Sequence, residues 1–303
     1  RLNSWRMIMR FRTLLALLLV FGLLAAACGD DDDTEAGADD DTTADDDATD
    51  DDDTAGACDT LPTKTEGVLT VATGEPAFLP WVGDDNPEGG EGFEAALVYA
   101  LAEELGVDDV EWVRTGFDEA VTAGEKDYDF NIQQYSITAA RDEVVDFSDG
   151  YYTTEQAIIG PADSGIAGAT TLADLADYQL GAAIGTTSLI YIDDAIKPDS
   201  DAAVYDTYAD AKAAFDAGQL DGIVADGPTA FYITAVEIPE ATIVGALEEV
   251  GSAPEELGLL FEDGNSLVPC VNAAIAELKS EGKFDEFAEE WLAGIGDYKT
   301  IGS

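Results

Sequence analysis

Residues 135–159 read YSITAARDEVVDFSDGYYTTEQAII, and Arg141 stands in them among acids, in a chain with 65 Asp plus Glu against 13 Lys plus Arg. Arg1, Arg6, Arg10 and Arg12 lie in the first twelve residues, which leaves only Arg114 and Arg141 further on. An isolated cation of this kind has two readings. It pairs on the surface with Asp142, Glu143 or Asp146, a contact worth about 0 to 1 kcal/mol. Alternatively, it is kept for a role other than a surface pair, which composition alone does not name.

The stretch lies between two strand candidates, DFNIQQ (129–134) and QAIIG (156–160). Seven more follow the same apolar, β-rich pattern: VLTVAT (68–73), VEWVR (110–114), QLGAAI (179–184), AAVYD (202–206), DGIVAD (221–226), TIVGA (242–246) and LGLLF (257–261). Between them Phe93, Leu97, Leu101 and Leu105 recur every four residues, the spacing of one helical face. Thr207 with Asp210 reads as an N-terminal cap ahead of Ala211–Ala217. Strands alternating with helices predict α/β layers. AGEKD before YDFNI (123–132) is echoed by AGQLD before GIVAD (217–226), which suggests two lobes built alike. Ligands of open α/β sheets bind at the carboxyl ends of strands, where Gln133, Gln134, Ser136, Gly185–Ser188 and Asp226 fall. Alternation along a regular strand lets only one of Gln133 and Gln134 face inward, and Gln134 is preferred.

The first 28 residues have a basic start, the uncharged run TLLALLLVFGLLAAA (13–27) and then Cys28, the layout of a signal peptide. The run is shorter than the roughly 20 residues of a membrane-spanning helix. Ala25–Ala27 before Cys28 resemble a lipobox, so Cys28 is expected to be lipidated after removal of residues 1–27; ordinary cleavage after an A-x-A site is the alternative. Residues 30–53 hold 14 Asp and one Glu with no apolar side chain larger than Ala. Such a segment has too little to bury to fold, and residues 28–57 read as an extended acidic tether. A calcium loop would need a Gly and Glu spacing that is missing.

Residues 58–303 form the predicted folded part, with nine basic against 50 acidic side chains and a net charge of −41. That field argues against nucleic acid and anionic lipid surfaces as partners. The chain has no histidine, which removes Ser-His-Asp and Cys-His catalysis and the usual neutral-pH metal ligand; no metal and no cofactor are expected. With Cys28 assigned to lipid, an exported protein leaves Cys58 and Cys270 to pair as a disulfide or to remain two separate buried thiols.

These segments together resemble the family 3 extracellular solute-binding proteins, the amino-acid receptors of ABC importers. YSITAARDEVVDFSDGYYTTEQAII is close to that family's S-I-T-x-x-R…V-D-F-S-x-P-Y-Y block, with Gly150 in place of the proline. GEPAFLPW (74–81) followed by GFEAAL (92–97) is similar to the loop and G-F-D-x-D-L helix of the family, with Glu94 and Ala96 replacing the two acids. IGTTS (184–188), DGIVADGPTAFY (221–232) and SLVPCVNAAIAELKSEGKFDEFAEEWL (266–292) complete the set in order.

The resemblance implies a bilobed, type II periplasmic-binding-protein-like α/β fold. Lobe 1 would be 61–158 with 262–303, lobe 2 would be 161–257, and two strand-like crossovers would form the hinge. It further implies that Arg141 grips a ligand α-carboxylate, helped by Ser136 and by Thr187 with the amides of Gly185 to Ser188. Asp226 would take the α-ammonium, and Phe78, with Glu75 nearby, would cover the side chain. Arg114 lies outside every family block and has no implied ligand role.

Function follows as an expectation: a lipid-anchored monomer on the outer face of the cytoplasmic membrane that captures a polar α-amino acid for a permease. Two rivals remain on sequence alone. One is an enzyme of the cyclohexadienyl dehydratase type, which needs an acid poised over a ring and for which Glu75 or Gln133 offers only a thin case; the other is a ligand sensor acting through a separate receptor.

Overall fold

The computed structural model describes residues 58, 60–249, 254–296 and 298–302. The anticipated signal peptide, Cys28 and acidic tether lie outside the described residues. All nine anticipated strands are present, and they divide between two mixed six-stranded sheets.

The first sheet has the order β2-β1-β3-β11-β4, from β1 (Val68–Gly74), β2 (Asp109–Thr115), β3 (Phe130–Ser136), β4 (Val145–Phe147) and β11 (Glu255–Glu262), with β5 (Tyr152–Thr154) also paired to β11. β1 runs parallel to β2 and β3, whereas β11 is antiparallel to β3, β4 and β5. Six of the seven residues of β1 are buried, which fits its continuous apolar run in a sheet covered on both faces. The second sheet has the order β12-β10-β6-β9-β7-β8, from β6 (Gln156–Pro161), β7 (Leu180–Ala183), β8 (Ala203–Tyr205), β9 (Gly222–Asp226), β10 (Ala241–Leu247) and β12 (Thr300–Ile301).

Helix α1 (Phe93–Glu104) packs Phe93, Leu97 and Leu101 into the core of the first lobe, the face that the four-residue spacing marks. It begins at Gly92, whose φ of 103° belongs to glycine and where a Cβ would lie 2.3 Å from the Trp81 carbonyl oxygen. A short turn α2 (Phe117–Ala120) follows β2. The second lobe holds α3 (Thr187–Tyr191), α4 (Tyr208–Asp216) and α5 (Gly227–Tyr232), each entered from the end of a strand. Thr207 caps α4 by accepting from the Asp210 amide at 3.1 Å, as its sequence signature indicates. The internal echo is only partial, because the first copy has the four-residue α2 where the second has α4.

Helices α6 (Val268–Ser280) and α7 (Lys283–Trp291) return to the first lobe, and Phe284 and Phe287 pack edge-on against Phe93. Cys58 is joined to Cys270 on α6 in a disulfide with Cα atoms 5.6 Å apart, across a sequence separation of 212. The two thiols are therefore not separate. Among the described residues no helix is long and apolar enough to cross a membrane.

The lobe boundaries differ from those the resemblance implies. The first passage falls at Glu155, because Gln156 already pairs with Asp226 in the second sheet. The second passage ends at Glu255, which pairs with Thr154, so all of β11 belongs to the first sheet. A third passage was not anticipated: Thr300 and Ile301 pair with Ala246 and Leu247 and return the tail to the second lobe.

Candidate functional site

The parallel strands of both sheets end at a common cavity of about 210 Å³. β1 delivers Glu75, Pro76 and Phe78; β3 delivers Gln133, Gln134 and Ser136; β7 leads into Thr186, Thr187 and Ser188; and β9 ends on Asp226. This is the carboxyl-end location expected for a ligand cleft.

Asp226 stands at the cavity wall as the N-cap of α5. Its Oδ1 accepts from the Thr229 amide at 3.1 Å and its Oδ2 from Thr229 Oγ1 at 3.0 Å. Burial pushes its carboxyl up to about 6 despite those two bonds. Among the described residues no Lys or Arg forms a salt bridge with it.

Arg141 is buried at the side of the cavity and is not part of its lining. Its Nη1 donates to the Ser136 carbonyl at 2.6 Å and its Nη2 to the Gly185 carbonyl at 2.8 Å, so the guanidinium joins the two lobes. Its charge sits 5.5 Å from the centre of the Phe117 ring. No ion pair with Asp142, Glu143 or Asp146 is formed, which removes the surface-pair reading. Two of five N–H groups are used on carbonyls, and three remain for another acceptor. Gly185 itself has a φ of +75° and packs tightly: a Cβ there would meet Asp118 of the first lobe at 3.3 Å.

Both Gln133 and Gln134 line the cavity, contrary to the strict alternation expected of β3. The cause is local. Gln134 has a φ of +53°, and the register with β11 shifts between Gly258 and Leu260, so the strand bulges where it meets the cleft. Glu94, fully buried on α1, holds this conformation: it accepts from the Gln134 amide at 2.8 Å, from Gln134 Nε2 and from the Tyr151 hydroxyl. Burial pushes Glu94 up to about 7. Gly74 leaves room for Gln133, since a Cβ there would lie 2.5 Å from its Nε2.

Several wall residues carry no motif signal that sequence reasoning used. Asp118 lies on α2, Asp206 and Tyr208 follow β8, and Gln156 opens β6 beside Asp226. Glu255, at the start of β11, accepts from Ser136 and Thr187. Arg114 is also not idle. It donates to the Gly74 carbonyl at 2.6 Å and to Asp85 Oδ1 at 2.7 Å, which fixes the loop carrying Glu75.

Compared with known families, residues 69–294 match the bacterial extracellular solute-binding proteins, family 3. The chain belongs to that family. This solute-binding protein is 28% identical over 212 residues to the arginine-binding extracellular protein ArtP of Bacillus subtilis (strain 168), covering 67% of this chain and 78% of ArtP. Among solved structures it is similar to an ancestral arginine-binding protein bound to glutamine, with 30% identity, a TM-score of 0.65, and coverage of 75% of this chain and 99% of that one. It is also similar to the ancestral amino acid-binding protein AncCDT-1, a precursor of cyclohexadienyl dehydratase, with 29% identity, a TM-score of 0.61, and coverage of 74% and 95%. The relatives named here are binding proteins, and the two-lobed mixed α/β architecture is theirs as well.

Proposed function

We propose that this solute-binding protein captures an α-amino acid with a cationic side chain outside the cytoplasm and delivers it to the permease of an ABC importer. The observation that carries the reading is the charge of the cavity wall. Glu75, Asp118, Asp206 and Asp226 line it, and among the described residues no Lys or Arg does. Asp226 is the partner for the α-ammonium. Asp118, Asp206 and Glu75 favour a second positive charge and disfavour an acidic side chain.

The amides of residues 185–188, with Ser136 and Thr187, serve the α-carboxylate, and Arg141, beside the cavity on the Ser136 and Gly185 carbonyls, supplies positive charge behind them. Phe78 covers the aliphatic part of the ligand, and Gln133 and Gln134 supply neutral polar contacts. Arginine-binding relatives such as ArtP support this choice of class. We further propose that the protein acts without catalysis, as a monomer held to the membrane by lipid on Cys28 and lifted from it by the tether.

A thermal-shift panel of the twenty amino acids, with prephenate and arogenate added, tests the reading. Ligand at 100 times its dissociation constant adds about 2.7 kcal/mol of stability. Arginine and lysine are expected to raise the melting temperature most. A shift by prephenate with formation of aromatic product, and none by amino acids, overturns the reading in favour of an enzyme.

A further inference from the structure

Glu255 begins β11, where the chain returns from the second lobe to the first. Its carboxylate accepts from both lobes. Oε1 takes Ser136 Oγ at 2.5 Å and Thr187 Oγ1 at 2.6 Å, and Oε2 takes Gln156 Nε2 at 2.9 Å. Ser136 ends β3 in the first sheet, while Gln156 opens β6 and Thr187 opens α3 in the second lobe. The arrangement is braced from behind. Ser188 Oγ donates to Gln156 Oε1 at 2.6 Å and Tyr208 OH to Ser188 Oγ at 2.9 Å, which turns the Gln156 amide nitrogen toward Glu255.

A hydroxyl has one proton to give. Those of Ser136 and Thr187 are both directed at Glu255, yet these are the hydroxyls that the amino-acid reading gives to the ligand. Two carboxylates cannot take the same two protons, and at such separations they repel. The charge of Glu255 also acts on Arg141, the positive charge behind those groups.

We propose that Glu255 is an internal competitor for the ligand α-carboxylate and thereby sets the affinity of the cleft for amino acids. It rests on the amino-acid reading above and adds a residue that opposes binding. On ligand entry Glu255 yields Ser136 and Thr187 to the incoming carboxylate. Room for that movement exists, because Glu255 also borders a second cavity of about 630 Å³. The walls of that cavity include Glu155, Glu248 and Glu249, so moving a carboxylate toward them meets like-charge repulsion that the ligand must overcome.

The test is calorimetric titration of arginine and of agmatine, its counterpart without the carboxylate, into the parent and the Glu255→Gln protein. Should the panel select another amino acid, that one and its decarboxylated form replace them. Glutamine has nearly the same shape but sets an amide nitrogen against either the hydroxyl donors or Gln156 Nε2, so the bridge is broken. Arginine is expected to bind at least tenfold more tightly to the variant, and agmatine equally or more weakly. Glu255→Ala repeats the comparison without any hydrogen-bonding side chain, and melting curves without ligand confirm that each variant is folded. Unchanged or weakened arginine binding in both variants overturns the proposal. So does an equal gain for agmatine, since competition acts only on ligands that carry a carboxylate. If the parent binds no amino acid at all, the underlying reading fails and the proposal with it; if it binds arginine and the variants gain nothing, the proposal alone fails.

Discussion

Trp81 and Thr229 meet across the cleft: the indole Nε1 of Trp81, in the loop after β1, donates to Thr229 Oγ1 on α5 at 3.1 Å. Thr229 Oγ1 in turn donates to Asp226 Oδ2, so one hydrogen-bonded line runs from the core of the first lobe to the acid on the wall of the second. Trp81→Phe keeps the edge-on packing against Phe93 and Tyr152 and removes only the donor. Net loss of a buried hydrogen bond costs about 1 kcal/mol. We expect arginine affinity to fall roughly fivefold, with 1.4 kcal/mol corresponding to tenfold. An unchanged dissociation constant in calorimetry sinks the idea that this line contributes to closure.

Asp226→Asn separates binding from folding. Asparagine caps a helix about as well as aspartate, so α5 keeps its start, and relief of a desolvated carboxylate leaves the unliganded protein at least as stable. The ligand ammonium, however, loses its main charged partner. Affinity is expected to fall by about 2 to 5 kcal/mol, or roughly thirtyfold to several-thousandfold. Equal affinity for arginine in variant and parent removes Asp226 from the site.

Acid dependence follows from two carboxyls that burial raises, Glu94 to about 7 and Asp226 to about 6, from ordinary values of 4.5 and 3.8. Between roughly pH 4 and 7 the folded protein keeps protons that the unfolded chain has released. Stability therefore falls as pH rises through that window. Without ligand, the melting temperature is expected to be higher at pH 5 than at pH 7.5, and Glu94→Gln should flatten the dependence. Affinity for an amino acid runs the opposite way, because an ammonium binds the charged form of Asp226, and it should rise from pH 5 to 7. A parent and a Glu94→Gln protein with identical pH profiles would contradict the role given to Glu94.

The fold was legible because its main strands are apolar runs, as in VLTVAT and DGIVAD, and its helices have clear starts, as at Thr207. What escaped were β4, β5 and β12, of two or three residues each, too short to hold a period. Their existence depends on partners far along the chain: β4 and β5 on β11, and β12 on β10. In the cavity wall, the positions of Asp226, Ser136 and Thr187 were readable from motifs at strand ends. Glu255 and Gln156 were not, since their role arises only when the passages between lobes bring residues 136, 156, 187 and 255 together. Gln133 was set aside by alternation, which the left-handed Gln134 breaks. Arg114 looked idle because the carbonyl and acid it holds, Gly74 and Asp85, are remote from it in sequence.

The most direct test of the account is titration calorimetry of the purified protein with arginine and, separately, with glutamate. Four cavity carboxylates with no basic side chain beside them among the described residues predict saturable one-to-one binding of arginine and at least hundredfold weaker binding of glutamate. No measurable heat with either, or tighter binding of glutamate than of arginine, would contradict it.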